Sequence, residues 1–280
     1  MWFIYALIAG VFFAINSLMI RHHFRKNEDQ WVFSFYYSFI IGLFFLPLLL
    51  LTKFSIPTNI NFWVLTLLIC LTLLVGNLMS FTAAKTIGAT TANVIGKLRL
   101  LWMIIVGIFL FSESMNLQKI IGMILILSAS FLIIDYSKWK VSRKGVILII
   151  LTTITSTIYA ILLKKIIATT DIFHILFIGC MIQAALNALI TPNFFQRAKN
   201  EFKNIKWLIV IGVIGAIANL AMVKALSYDV LSSVYFVMDA SLVILIFGEH
   251  FILKEKERVI WKAAALVLAI IGAIFIHGLA

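Results

Sequence analysis

The stretch that decides the fold is Thr91–Phe111, TANVIGKLRLLWMIIVGIFLF. It has the length and apolar content of a helix that crosses a bilayer, which takes about 20 residues. Yet Lys97 and Arg99 stand close to its centre. A cation there costs at least about 2.5–3.5 kcal/mol on insertion scales, so it faces a bundle interior or a wet cavity rather than lipid. A second apolar stretch, Val230–Phe251, carries Asp239 near its centre, 142 positions after Lys97. The same offset takes Asn77-Leu78 onto Asn219-Leu220, Asp29 onto Asp171 and Glu113 onto Glu255. One offset close to half the chain length marks an internal duplication. Two halves with buried charge at corresponding places point to a transport site between repeats.

Composition agrees. The 280 residues are 63% hydrophobic and 12% charged, with a mean hydropathy of +1.11. A soluble domain cannot hide that much apolar surface, so the sequence reads as a polytopic membrane protein. The net charge of +12 does not call for nucleic acid, because Lys and Arg of membrane proteins collect in cytoplasmic loops. Cys70 and Cys180 lie inside apolar stretches and read as small hydrophobes, with no disulfide or metal framework. The first span lacks a basic segment before it and has its basic cluster after it, which reads as a permanent helix rather than a cleaved signal.

Ten spans can be drawn, near 1–20, 32–51, 62–82, 91–111, 118–136, 145–163, 172–191, 206–226, 230–251 and 259–279. The expected fold is all-α, with ten transmembrane helices in two five-helix repeats, 1–138 and 143–280. Five is odd, so the second repeat enters the bilayer upside down, and inverted repeats supply two related conformations for alternating access. The longest connection, around Thr191–Lys206, reads as a basic, polar loop. Of the 23 Lys and Arg, 15 adjoin the loops on one side and five those on the other. The positive-inside rule then places both termini outside.

Polar residues inside the spans are the candidate solute contacts. Asn93 and Lys97 are four apart on the fourth span, and Tyr235 and Asp239 are four apart on the ninth. Each pair therefore shares a helix face, whereas Lys97 and Arg99 are separated by about 200°. Lys97 and Asp239 can form a structural ion pair, or either can serve a solute or a proton. Asn16 and Tyr159 correspond within one residue under the offset, as Asn77 and Asn219 correspond outright. Each of these fits either interhelical hydrogen bonding or a central pathway. The hydroxyls of LTTITSTIYAILL, residues 151–163, suit close helix packing and back-bonding to the helix's own carbonyls. His174, Gln183 and Asn187 read as packing polar residues, and Lys85 and Lys224 as snorkelling cations. Glu113 and Glu255 read as solvated helix-end carboxylates or gate residues; Glu249 and His250 read as interfacial, and His22-His23 as an interfacial loop pair.

The pattern resembles the drug/metabolite transporter superfamily, specifically EamA-like proteins. The resemblance covers the whole chain and rests on the two five-span repeats. It rests also on helix-end acids followed by small residues, as in FSESMNLQKIIGMIL (111–125) and LKEKERVIWKAAALVL (253–268). It implies a central cavity surrounded by spans 1–4 and 6–9, with spans 5 and 10 peripheral. It also implies substrate contacts from spans 4 and 9. Many relatives carry a proline in the middle of those two spans, and this chain has none there. Relatives are often drawn with both termini in the cytoplasm, opposite to the loop charges here.

The expected function is secondary transport of a small polar metabolite through the cell membrane, with export favoured by the resemblance. Two buried cations suit a carboxylate or phosphate on the solute, and Asp239 suits its amino group or a coupling proton. An amino acid meets both conditions. The alternative is a membrane-embedded enzyme or flippase for lipid-linked substrates. However, H-E-x-x-H, G-x-S-x-G and Walker A patterns are absent from the sequence, and no cofactor, metal or catalytic residue is expected. The expected partners are the solute, membrane lipids and protons. The topology is checked by a reporter that is active only in the cytoplasm, fused after Ala280. The charge asymmetry predicts a silent fusion, and a bright one reverses the orientation.

Overall fold

The computed structural model describes residues 1–24, 29–51, 57–84, 95–96, 98–132, 142–228, 231–240 and 259–277. Asn93 and Lys97, and with them Lys85, Glu249, His250 and Glu255, lie outside the described residues. The first half contributes α1 (Trp2–Phe24), α2 (Gln30–Leu51), α3 (Ile60–Ala84), α4 (Leu98–Phe111) and α5 (Leu117–Leu132). The second contributes α6 (Arg143–Ile167), α7 (Ile172–Ile190), α8 (Ile205–Tyr228), α9 (Leu231–Ala240) and α10 (Val259–His277). Six helices are long and apolar enough to cross a membrane, and four shorter apolar ones complete the set among the described residues. Helices are the expected solution, since in hydrocarbon every backbone N–H and C=O must be satisfied within its own segment. Large apolar side chains face outward, among them Phe109 at 80% exposure and Ile260 at 83%, as lipid contact permits and water does not.

Helix neighbours come in reciprocal sets. α1 packs on α8 as α6 packs on α3, α2 on α8 as α7 on α3, and α9 on α1 as α4 on α6. Three further pairs, α2 with α7, α4 with α9 and α5 with α10, join a helix to its own counterpart. Such reciprocity is what a twofold relation between the halves generates. All three self-pairs run antiparallel. Phe35 near the start of α2 meets Phe194 just beyond the end of α7, while mid-helix Gly42 meets Met181. On α5 and α10, Gly122 faces Ile276 and Gly272 faces Ile126. Equivalent helices that run antiparallel place the pseudo-twofold axis in the membrane plane, so the repeats are inverted.

The duplication extends to the caps. Asp29 precedes α2, and its Oδ1 accepts from the N–H groups of Trp31 at 3.0 Å and Val32 at 3.4 Å. Asp171, its counterpart, precedes α7 and accepts from the Phe173 N–H at 2.9 Å. A carboxylate here satisfies orphan donors and complements the helix dipole.

Small residues set the packing distances, as they do where lipid removes the hydrophobic drive between helices. Ala6, Ala9 and Ala14 of α1 and Ala216, Ala218 and Ala225 of α8 are buried. The stretch expected as a loop between the seventh and eighth spans instead forms a short helix, Phe194–Glu201, and a 3-10 turn, Phe202–Asn204. The connector helix is anchored by Arg197, whose Nε donates to Asp29 Oδ2, and by Tyr36, whose hydroxyl donates to the Ala198 carbonyl at 3.1 Å. Glu201 joins it, accepting from the Asp29 N–H at 2.9 Å. His23, expected in a loop, belongs to α1 and is buried 3.9 Å from Glu201. The sequence reading missed this because the partners lie 178 positions apart.

The α5–α10 crossing gives a direct stability test. A Cβ on Gly122 would lie 2.6 Å from the Gly272 carbonyl oxygen, and one on Gly272 would lie 2.7 Å from that of Gly122. Gly122→Val and Gly272→Val should each destabilise by about 1–3 kcal/mol through overpacking, read as a lowered Tm in detergent. Gly96→Ala, where nothing lies within 4 Å, should leave Tm unchanged or slightly raised.

Candidate functional site

A cavity of about 620 Å³ lies between the repeats. Its walls come from α1–α4 and α6–α9; among the described residues α5 and α10 contribute nothing to it. These two helices pack on each other and on α9 at the periphery.

The α4–α9 wall holds the charge. The Arg99 guanidinium lies 3.5 Å from Asp239 Oδ1. Arg99 Cζ also sits 5.5 Å from the centroid of the Tyr235 ring, within reach of a cation–π contact. Tyr235 and Asp239 are four apart on α9 and so present one face to the same partner. The Asp239 side chain is 6% exposed and that of Arg99 35%. The carboxylate is therefore held in the wall, while the guanidinium retains a face toward the cavity. Arg99 thus lies against Asp239, while Lys97 lies outside the described residues.

Tyr159, Asn77 and Asn219 also line the cavity. Asn219 Nδ2 donates to the Gly215 carbonyl of its own helix at 2.8 Å, leaving its amide oxygen as an acceptor. Asn16 is placed differently. It is buried behind the wall; its Nδ2 donates to the Ile211 carbonyl at 2.7 Å and its Oδ1 accepts from the Tyr37 hydroxyl at 3.3 Å. Tyr37, which the sequence reading passed over, is the residue in contact with the cavity, wedged against Gly215. Asn16 thus positions Tyr37. On α6, Thr152 and Thr155 line the cavity while their hydroxyls back-bond to the Leu148 and Thr152 carbonyls at 2.9 and 3.0 Å. Packing and lining roles coexist in these residues. Cys70 and Cys180 are free thiols in the wall, and Cys70 Sγ donates to the Gly179 carbonyl at 3.3 Å.

The polar wall continues through Ser80, Arg99 and Thr152 into a recess of about 220 Å³ that reaches Gly96. That recess points away from the end of the bundle that carries both termini. The terminus-bearing end is held by contacts between the repeats. There Glu113 follows α4, buried to 7% exposure. Its carboxylate accepts from the Leu231 N–H at 2.6 Å, the Ser232 N–H at 3.3 Å and the Ser232 hydroxyl. Glu113 therefore caps α9 across the repeat interface and is not a solvated helix end. The chain turns into place through Ser112, at φ 50°, and a bond from the Glu113 N–H to the Gly107 carbonyl at 3.0 Å. A Cβ at Gly107 would lie 2.5 Å from Glu113 Oε2, so a side chain there would push the carboxylate off its position on α9. Beside this clasp the Tyr5 and Tyr228 rings stack 6.1 Å apart across the repeats, and within the second repeat Lys164 Nζ donates to the Leu226 carbonyl. Lys164 lies within α6, beyond the 163 limit expected for the sixth span. Ser232 is 119 positions from Glu113, so local pattern could not reveal the cap.

The EamA-like transporter family model matches the chain twice, over residues 1–135 and 143–278. A solved structure described only as a crystal structure of a protein has the same fold. It superposes with a TM-score of 0.75 at 15% identity, over 98% of this chain and 99% of that one. No curated protein matches the sequence. At 15% identity the solved structure speaks to fold alone.

The Glu113 clasp yields a test independent of any solute. Glu113→Ala removes the acceptor for buried donors at the α9 N-terminus and should cost about 1–3 kcal/mol of stability. Glu113→Gln keeps one acceptor oxygen and should cost less. Thermal unfolding of the purified variants checks the order.

Proposed function

The chain belongs to the EamA-like transporter family, and from that premise we propose that it is a secondary-active exporter of a small anionic or zwitterionic metabolite, such as an amino acid. Its partners are a small-molecule solute and membrane lipids, as membership of a transporter family implies. We place it in the cell membrane and assign it a proton as coupling ion.

One observation carries the reading of the solute. Arg99 and Asp239 face each other at 3.5 Å in the cavity wall, a separation too long for a tight bidentate pair. A solute carboxylate can take Arg99 while its ammonium takes Asp239. Each charge then exchanges one partner for another rather than being left bare, which keeps the desolvation cost of the bound state low. When the solute leaves, the two side chains serve as each other's counter-ion. Tyr235 fixes the guanidinium through its ring face, and Tyr159, Asn77 and Asn219 supply neutral hydrogen-bonding groups around the remaining volume.

Alternating access follows from the symmetry. Inverted repeats can exchange the conformations of their halves, which moves the opening from one side of the site to the other. The clasp of Glu113 on α9, with the Tyr5–Tyr228 contact, closes the terminus-bearing end. In the reciprocal state these contacts break. Lys97 and Asn93 are further candidates for the same site by their place on the fourth span.

Arg99→Gln and Asp239→Asn should each reduce solute flux in proteoliposomes by at least about tenfold, the equivalent of about 1.4 kcal/mol. Asp239→Asn removes the carboxylate that faces the Arg99 guanidinium. The double variant should therefore be more thermally stable than Asp239→Asn alone, yet remain inactive. Recovery of wild-type flux in the double variant would make the pair structural and remove it from the solute site.

A further inference from the structure

The connection between α7 and α8 presents a surface that the transport site does not use. Fourteen residues separate Ile190 from Ile205, against eight between Leu51 and Ile60 at the corresponding place in the first repeat. The additional length forms the connector helix Phe194–Glu201 and the turn after it, which the repeated fold itself does not call for. α7 is 19 residues long, about 28 Å at 1.5 Å per residue, enough to span a hydrocarbon core of about 30 Å. The connector therefore starts at the boundary between acyl chains and headgroups. One face of it is fixed to the bundle. The Phe194 ring packs edge-on against Phe35, Ala198 and Glu201 are buried, and Arg197 pairs with Asp29. The opposite face looks outward. Phe195, Lys199, Phe202 and Lys206 follow one another at spacings of four, three and four, which is a single stripe along a helix. Phe195 is 87% exposed and Phe202 58%, and Lys199, Lys203 and Lys206 are all exposed. Glu201, the one acid between 194 and 206, is turned inward and accepts from the Asp29 N–H. The charge on the outward face is therefore positive throughout, interleaved with aromatic rings. Trp207, partly exposed, continues it onto α8.

We propose that this face is a docking surface for anionic phospholipids of the adjacent leaflet. Such a stripe suits neither water nor hydrocarbon. Water would leave two Phe rings hydrated side by side, and hydrocarbon would strip three ammonium groups of theirs. The interface meets both needs. The rings enter the acyl boundary, while the lysine stems lie along it and lift their ammonium groups to phosphate oxygens. Charge complementarity favours anionic over zwitterionic headgroups, because each basic residue near an anionic surface adds attraction that decays within a Debye length. The leaflet concerned is the one at the end of the bundle opposite both termini. The connector is also a strap. It belongs to the second repeat, and it grips the start of α2 in the first through Arg197 on Asp29 and the Ala198 carbonyl on Tyr36. Lipid bound to its outer face therefore reinforces a contact between repeats at the end toward which the polar recess points. This docking is independent of the solute's identity, so its test needs no solute.

The full chain is purified in a neutral detergent and unfolded thermally with dioleoylphosphatidylglycerol or with dioleoylphosphatidylcholine at equal lipid content. A ligand that binds the native state raises Tm. Phosphatidylglycerol should raise Tm by several degrees more than phosphatidylcholine, and salt at about 0.5 M should shrink that difference. The triple variant Lys199→Gln, Lys203→Gln, Lys206→Gln should lose most of the difference and keep its Tm in phosphatidylcholine. Phe195→Ser with Phe202→Ser should weaken the effect of both lipids. Arg143→Gln with Lys144→Gln removes an exposed basic pair at the start of α6, at the same end of the bundle, and should keep the difference. Equal shifts with the two lipids overturn the proposal, as does a difference kept by the triple variant. A loss just as large in the Arg143, Lys144 variant also overturns it, by making the effect one of diffuse charge. An equal rise with inorganic phosphate alone overturns it in favour of a free anion. Should the triple variant fail to fold, the single variants Lys199→Gln and Lys203→Gln decide: a partial loss in each supports the surface, and no loss in either overturns it.

Discussion

A guanidinium and a carboxylate facing each other across an inverted-repeat interface are the constraint on which the rest of this molecule depends. Charge in a bilayer core is tolerated only where protein or water surrounds it. Arg99 and Asp239 are on α4 and α9, two counterpart helices that meet on the pseudo-twofold axis. That meeting requires the helices to cross with both charged faces turned inward. The eight helices that line the cavity supply the enclosure, and the outer α5–α10 pair braces it through a glycine contact. The Glu113 cap on α9 is the second consequence. It ties the end of α4 to the start of α9, so the helix that carries Asp239 is anchored by the helix that carries Arg99.

Much of the fold was legible in the sequence. The offset that joins Asp29 to Asp171 and Asn77 to Asn219 carried physical content, since the first two cap equivalent helices and the second two line the same cavity. The odd number of spans per repeat announced the inversion. Face analysis placed Tyr235 beside Asp239 on the wall that meets the buried cation. What the sequence could not supply was the rotation of α4 about its axis. Arg99 and Asn93, six positions apart, cannot both be placed by pattern alone, and packing against α6 and α9 is what brings Arg99 to Asp239. Interactions between distant segments were also hidden: Glu113 with Ser232, His23 with Glu201, Asn16 with Tyr37.

The two ends of the bundle differ in a way that bears on transport. At the terminus-bearing end the repeats are joined by a carboxylate cap and a ring stack, and a lysine–carbonyl bond ties α6 to α8 within the second repeat. The polar recess at Ser80, Gly96 and Thr152 extends toward the other end. In the alternating access proposed above, the two halves exchange conformations and this asymmetry between the ends reverses.

The most direct measurement is side-specific labelling of Ser156→Cys, a cavity position on α6, in a chain whose Cys70 and Cys180 are replaced by Ala. Oriented vesicles are exposed to a membrane-impermeant maleimide from one face and then, in a parallel sample, from the other. If the cavity is a solute site with alternating access, the thiol is labelled from both faces, and a transported solute slows both reactions. Labelling from one face only, unchanged by every solute tested, would contradict the account.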